Sequence, residues 1–264
     1  MADWLKNPAV RQGSFDESEV GPQEAKFSVA GVALKTGIML AIMAATFFYT
    51  WNLTTVGYKD AFSAVTDGAA KTQIDIPGNV YSLAIWGCLG AFAVAMFTIF
   101  VQRAAPFTGP VYAALEGLAL GAISAGFEAK YPGIVLEALA STFGVAAGML
   151  FLYGTGILRP TQKFLIGLLA AMLGIIVLYT VDLVMLSFGS YVPVVHEGGT
   201  WGVVFSIFVV GVAALSLIVD FEDIRLAAED KAPKWYEWYA GFGLMLGLVW
   251  LYLEILRLYA KTKE

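Results

Sequence analysis

Trp250-Leu-Tyr-Leu-Glu254-Ile-Leu-Arg257-Leu-Tyr259 is the stretch whose reading decides the fold. It closes a run of sixteen uncharged residues, Trp238 to Leu253, and the apolar run resumes directly after Glu254. At about 100° per residue, Gly243, Gly247, Trp250, Glu254 and Arg257 share one helical face, and Leu, Met and Val cover the rest. Two glycines four apart let a second helix approach closely. A carboxylate of that stripe turned to lipid would cost roughly 2.5–3.5 kcal/mol or more. The segment is therefore predicted to be a helix enclosed by others, with its acid facing inward.

Composition places this helix in a membrane. The chain has 264 residues, 59% hydrophobic and 14% charged, with a mean hydropathy of +0.73. Soluble domains carry about 25% charged residues. The net charge of −5 is spread over tails and loops without a basic block, which argues against nucleic acid as a partner. The single cysteine, Cys88, lies in an apolar run; it rules out an intrachain disulfide and reads as a small buried core residue. Residues 1–30 carry Lys6, Arg11, Asp16, Glu17, Glu19, Glu24 and Lys26 with little periodicity. They read as a polar, mobile tail without a cleavable signal, ahead of a transmembrane domain over 31–264.

About 20 apolar residues cross a ~30 Å hydrocarbon core. Seven such spans are predicted. They are Thr36–Thr55, Val80–Gln102, about Phe107–Phe127, about Gly133–Tyr153, a fifth from near Phe164 that reaches Asp182, Thr200–Asp220 and Tyr236–Tyr259. Proline gives an independent reason for that number. Pro77, Pro106, Pro132, Pro160, Pro193 and Pro233 mark the six connections in turn, where a missing amide donor does least harm. Trp235, Tyr236, Trp238 and Tyr239 read as an interfacial aromatic belt. A cytoplasmic N-terminus would put ten Lys and Arg inside: four before Thr36, then Arg103, Arg159, Lys163, Arg225, Lys231 and Lys234. Five would lie outside, namely Lys59, Lys71, Lys130, Lys261 and Lys263, so the N-terminus is predicted to be cytoplasmic.

One His and one Cys leave no room for a zinc-type cluster, so any chemistry falls to the intramembrane acids. Glu137 heads a stripe with Ser141, Gly144 and Gly148. Asp220 ends another, with Ser216, Ala213, Ser206 and Gly202 behind it. Both faces suit close packing or a wet cavity. Glu116 lies about two turns inside the third span and is followed by Gly117 and Gly121. Asp182 reads as an interfacial group at the fifth helix's end. Glu222 and Asp223, beside Arg225, read as a solvated face. Arg257 follows Glu254 by three residues, so a purely structural ion pair competes with a functional reading there. His196, next to Glu197 in a Pro/Gly loop, is an attractive pH sensor on paper; the plain reading, an exposed loop residue, is preferred.

Three of these stretches carry a family resemblance. Asp220-Phe-Glu-Asp-Ile and Leu251-Tyr-Leu-Glu254-Ile-Leu-Arg-Leu resemble the paired acidic motif of the transmembrane Bax-inhibitor-motif family. Ile134-Val-Leu-Glu137-Ala-Leu-Ala-Ser-Thr-Phe resembles its fourth-helix signature. The similarity covers about residues 80–260, and the whole chain looks most like the larger bacterial, YccA-like branch. The resemblance implies seven helices, in two three-helix layers around a central C-terminal helix, in the plasma (bacterial inner) membrane. It also implies a pH-sensitive calcium leak gated by hydrogen-bonded acids on helices six and seven. Asp220 takes the first acid's place and Glu254 the second, where the family usually has Asp. Arg103 stands where some members use a basic residue to latch the pore. The acid that such a latch needs is missing from Val80–Gln102, and Glu116 is the substitute within reach.

Two carboxyls in one low-dielectric site cannot both ionise cheaply, so they share a proton. Losing it leaves like charges that push the helices apart or recruit a cation, and carboxylate and carbonyl oxygens suit Ca²⁺. Calcium is then cargo, and no cofactor is expected. The competing reading is a non-conducting regulator, such as a modulator of a membrane protease. A retinal protein is excluded because the seventh span has no lysine before Lys261. The Asp220/Glu254 dyad has no further catalytic signature beside it, so no enzyme is expected.

Overall fold

The computed structural model describes residues 27–66 and 78–263, and all its long elements are helices. They are α1 (Val29–Thr66), α2 (Gly78–Phe100), α3 (Ala105–Lys130), α4 (Ile134–Gly154), α5 (Gln162–Ser187), α6 (Thr200–Glu229) and α7 (Tyr236–Thr262). A 3₁₀ turn, Gln102–Ala104, joins α2 to α3, and one helical turn, Pro193–His196, interrupts the connection from α5 to α6. Each of the seven contains a segment long and apolar enough to cross a membrane. The chain is a multi-pass, all-α membrane protein. The tail reading for residues 1–26 and the connection holding Pro77 lie outside the described residues.

Two of the helix boundaries that differ from expectation do so for one reason. A hydropathy window stops at the first charge, whereas a helix continues past a charge that has a partner. α1 starts at Val29 instead of Thr36, running through Lys35, which is ion-paired with Glu237 of α7. Just before it, Phe27 is buried and its amide donates to the Ala232 carbonyl at 3.2 Å. α6 passes Asp220 by nine residues. Its last turns carry Arg225 Nη2 at 2.7 Å from Glu222 Oε1 and a second contact from Arg225 to Glu229, spacings that place these side chains on one face. Elsewhere the prolines punctuate as read, with Pro106 in the first turn of α3; the structure adds Thr161, which caps α5 by accepting the Phe164 amide at 3.3 Å.

The chain divides into two compact units. One holds residues 30–132 and 235–242, that is, most of α1, α2, α3 and the opening turns of α7. Its helices meet through glycine. A Cβ on Gly117 or Gly121 of α3 would collide with the carbonyls of Met43 or Phe47 in α1, and one on Gly87 of α2 would lie 3.0 Å from the Leu115 carbonyl. Such close backbone approach is how helices pack where lipid supplies no hydrophobic drive. The α7 portion is anchored by the Lys35–Glu237 pair, with Lys35 Nζ 5.6 Å from the Trp238 ring centre, and by Phe242 edge-on to Tyr112 at 5.1 Å.

The other unit holds residues 133–234 and 243–264, with α4, α5, α6 and the rest of α7 among them. α6 packs on both α4 and α5. Leu168 and Ile175 of α5 and Val209 and Val212 of α6 form a buried cluster, closed by Tyr179, Phe205 and Trp250. Of the seven helices α7 is the most enclosed: 56% of its apolar window is buried, against 11% for α5. That agrees with the inward-facing stripe. Cys88 corrects an expectation: it is exposed, on the outer face of α2 among Trp86, Leu89 and Phe92, where an apolar run reflects contact with lipid rather than a core.

Candidate functional site

The polar groups of the second unit gather along the seam between α6 and α7. The two stripes run antiparallel, and both ends of the pairing are visible. At one end, Asp220 Oδ2 lies 2.9 Å from the position of a Cβ on Gly247, and Oδ1 lies 3.8 Å from that of Gly243. The two glycines thus form a groove that admits the Asp220 carboxyl. At the other end, Lys261 Nζ of α7 donates to the carbonyl of Gly202, in α6's first turn, at 3.2 Å. Between them along α6, Ser216 turns its hydroxyl back to the Ala213 carbonyl at 2.8 Å, and Ser206 Oγ is buried without a partner among the described residues.

Asp220 is half-buried and takes no hydrogen bond from any described residue. Asp223, the next charge acting on it, has the same sign. Glu254 is in the opposite condition. It is 2% exposed, and every approach to its carboxylate is occupied. Tyr179 Oη donates at 3.0 and 3.1 Å, Arg257 Nη1 at 3.2 and 3.3 Å, and Trp250 Nε1 at 3.3 Å. Arg257 also donates to Tyr179 Oη at 2.6 Å and lies 5.0 Å from that ring's centre. Glu254 is thus tied to α5 through Tyr179 and to its own helix through Trp250 and Arg257.

The resemblance implied a hydrogen bond between Asp220 and Glu254, and that bond is absent. Asp220 meets α7 at Gly247, seven residues before Glu254, and seven residues at 1.5 Å each separate the two levels by about 10 Å along the helix. The acids share a seam and a unit but occupy different levels of it. The Glu254–Arg257 ion pair read from the i,i+3 spacing is present, with Tyr179 as its unforeseen third member.

The remaining candidates disperse. Glu137 is exposed and pairs with Lys263 at 3.0 Å, next to a 2.6 Å bond between Ser141 and Tyr259. Gly144 and Gly148, on the same stripe, have open space where a Cβ would be, so this face is not a close helix seam. Glu116 belongs to the first unit, beside the α1–α3 glycine seam, with Tyr112 one turn earlier as its hydrogen-bonding neighbour. Arg103 is exposed in the 3₁₀ turn of that unit. Among the described residues, no three His, Cys, Asp or Glu side chains converge as a metal cage requires.

Asp182 and His196 form a pair that the sequence reading did not bring together. Asp182 is 6% exposed instead of interfacial, and His196 is not a plain loop residue. Asp182 Oδ2 lies 2.7 Å from His196 Nε2, and Oδ1 accepts the Val192 amide at 2.9 Å. The available signal was an acid near a helix end followed, across one proline turn, by the chain's single histidine.

A family model described as Bax inhibitor 1 like matches residues 7–264. No curated protein and no solved structure matches the chain.

Proposed function

This chain belongs to the Bax inhibitor 1-like family, and from that premise we propose that it is a pH-sensitive calcium leak whose conducting seam runs between α6 and α7. The observation that carries the reading is Asp220: a half-buried carboxyl in a glycine groove, without a hydrogen-bond or ion-pair partner among the described residues. A neutral Asp220 fits a tight helix contact. An ionised one in the same place lacks a counter-charge and must draw in water or a cation, which opens the seam. Glu254 is the second acid, and its role differs from that of a shared-proton partner. Held by Arg257 and Tyr179 about two turns further along, its carboxyl anchors α7 to α5 beside the seam. Calcium is passing cargo on this reading, attracted by oxygen ligands rather than caged by them. The chain lies in a bacterial inner membrane with its N-terminus in the cytoplasm, and it performs no covalent chemistry.

A non-conducting regulator of another membrane protein, for instance a protease, is the second reading. It is favoured by the pairing of Glu254 with Arg257 and of Glu137 with Lys263, which makes these acids structural. Calcium entry into liposomes holding the purified protein separates the two. At about pH 6, 7 and 8, the unmodified protein passes calcium with a steep pH dependence, and Asp220→Asn flattens it. An absence of flux at every pH would favour the regulator. An Asp220→Asn profile that superimposes on the original would remove Asp220 from the gate.

A further inference from the structure

The segment between α5 and α6 is strapped down by charged groups from two different helices. From α5, Asp182 takes the Val192 amide at 2.9 Å and His196 Nε2 at 2.7 Å. From α7, Lys261, itself 5% exposed, donates to the Val194 carbonyl at 3.1 Å while also holding Gly202 of α6. A Cβ on Gly202 would collide with the Glu197 carbonyl, so the strap lies directly against α6's first turn. The Tyr191 ring meets the imidazole edge-on at 5.5 Å. One buried carboxylate and one buried ammonium thus fix a stretch whose own secondary structure is a single turn, Pro193–His196. The imidazole is open to solvent, with 41% of its side chain exposed.

We propose that this strap is a pH-responsive clasp: protonation of His196 turns a neutral hydrogen bond to Asp182 into an ion pair and tightens residues 191–197 onto the ends of α5, α6 and α7. Imidazole is the side chain whose charge ordinarily changes between about pH 5 and 8. Bonds between charged partners are roughly twice as strong as neutral ones. The charges around the clasp come from each packed element. α5 supplies Asp182; α7 supplies Arg257, which also acts on Asp182 but is bonded to Glu254 and Tyr179, and Lys261, which is aimed at two carbonyls. The strap itself supplies Tyr191 and Glu197, and the opening turn of α6 has no charged residue. A proton on His196 therefore meets a carboxylate in hydrogen-bond contact. The sign follows: the clasp is tighter in acid and looser in base. This device is independent of the ion-leak reading.

Hydrogen exchange on the full chain in lipid nanodiscs tests it, at about pH 5.5 and about pH 8, with rates corrected for intrinsic pH dependence. Peptides covering residues 188–199 exchange about 3–30 times more slowly at the lower pH in the unmodified chain, the span between a neutral and a charged hydrogen bond. His196→Gln keeps an N–H donor without the charge; it abolishes that pH difference and leaves α5 and α7 peptides unchanged. Asp182→Asn lowers protection of the same peptides at both pH values. The clasp is overturned if the unmodified chain shows no pH difference there, or if His196→Gln retains it in full.

Discussion

Asp220 Oδ2 sits 2.9 Å from the point a Cβ on Gly247 would occupy, and Leu217 Cδ2 is equally near that point. Gly247 is thus the contact through which α7 feels the Asp220 carboxyl. Gly247→Ala would force one of these neighbours aside and destabilise the folded protein by about 1–3 kcal/mol. Gly243→Ala meets Asp220 at an ordinary 3.8 Å and should cost much less. Thermal unfolding of both variants in detergent ranks them, and the reverse order would misplace the seam.

Arg257 and Glu254 differ in what their removal leaves behind. Arg257→Gln strands a carboxylate that is 3% exposed, whereas Glu254→Gln strands a guanidinium that is 37% exposed. Breaking a buried pair costs about 3–5 kcal/mol, and water at Arg257 reduces that to roughly 1–3. Arg257→Gln should therefore be the more harmful change. Adding Glu254→Gln to it should restore part of the loss, as measured by chemical or thermal unfolding.

Lys35 and Glu237 form a more enclosed pair, with side chains 12% and 2% exposed. Lys35→Met should cost about 3–5 kcal/mol because it removes the cation paired with a buried Glu237. The double variant with Glu237→Gln should recover most of that. A double-mutant cycle on unfolding free energies reads the coupling directly, and additive losses would show that the pair is energetically idle.

Glu137 offers the opposite expectation. Its side chain is 53% exposed and its partner, Lys263, 34%, and exposed pairs contribute about 0–1 kcal/mol. Glu137→Gln should leave stability and the pH profile of calcium entry close to those of the unmodified chain. A loss of pH dependence as large as that from Asp220→Asn would return the fourth helix to the site.

The number, order and approximate limits of the helices were legible because each rests on local signals: uncharged runs and a proline in each gap. The enclosure of α7 was legible too, from one stripe bearing two glycines and an acid, and so was the local Glu254–Arg257 pair. Partners distant in sequence were not. Nothing near Lys35 announces Glu237, 202 positions away. Glu137 was read as an intramembrane acid heading a stripe, and it does lie in the first turn of α4, but nothing near it announces Lys263, which reaches it there. The level of Asp220 on α7 depends on how two antiparallel helices are slid past one another, and neither stripe contains that offset. His196 was read as an exposed loop residue and is exposed, but nothing beside it announces its hydrogen-bond partner Asp182, fourteen residues back on α5.

α7 contributes to both units, and it follows the other six long helices in chain order. At about 5–20 residues per second, Lys35 is synthesised some 10–40 s before Glu237 exists to receive it. Through that interval the ammonium has to be sheltered by water, headgroups or the insertion machinery. Neither unit can be completed before α7 arrives, since each takes residues from it. A chain cut short before Trp235 would therefore present quality control with each unit lacking its share of that helix.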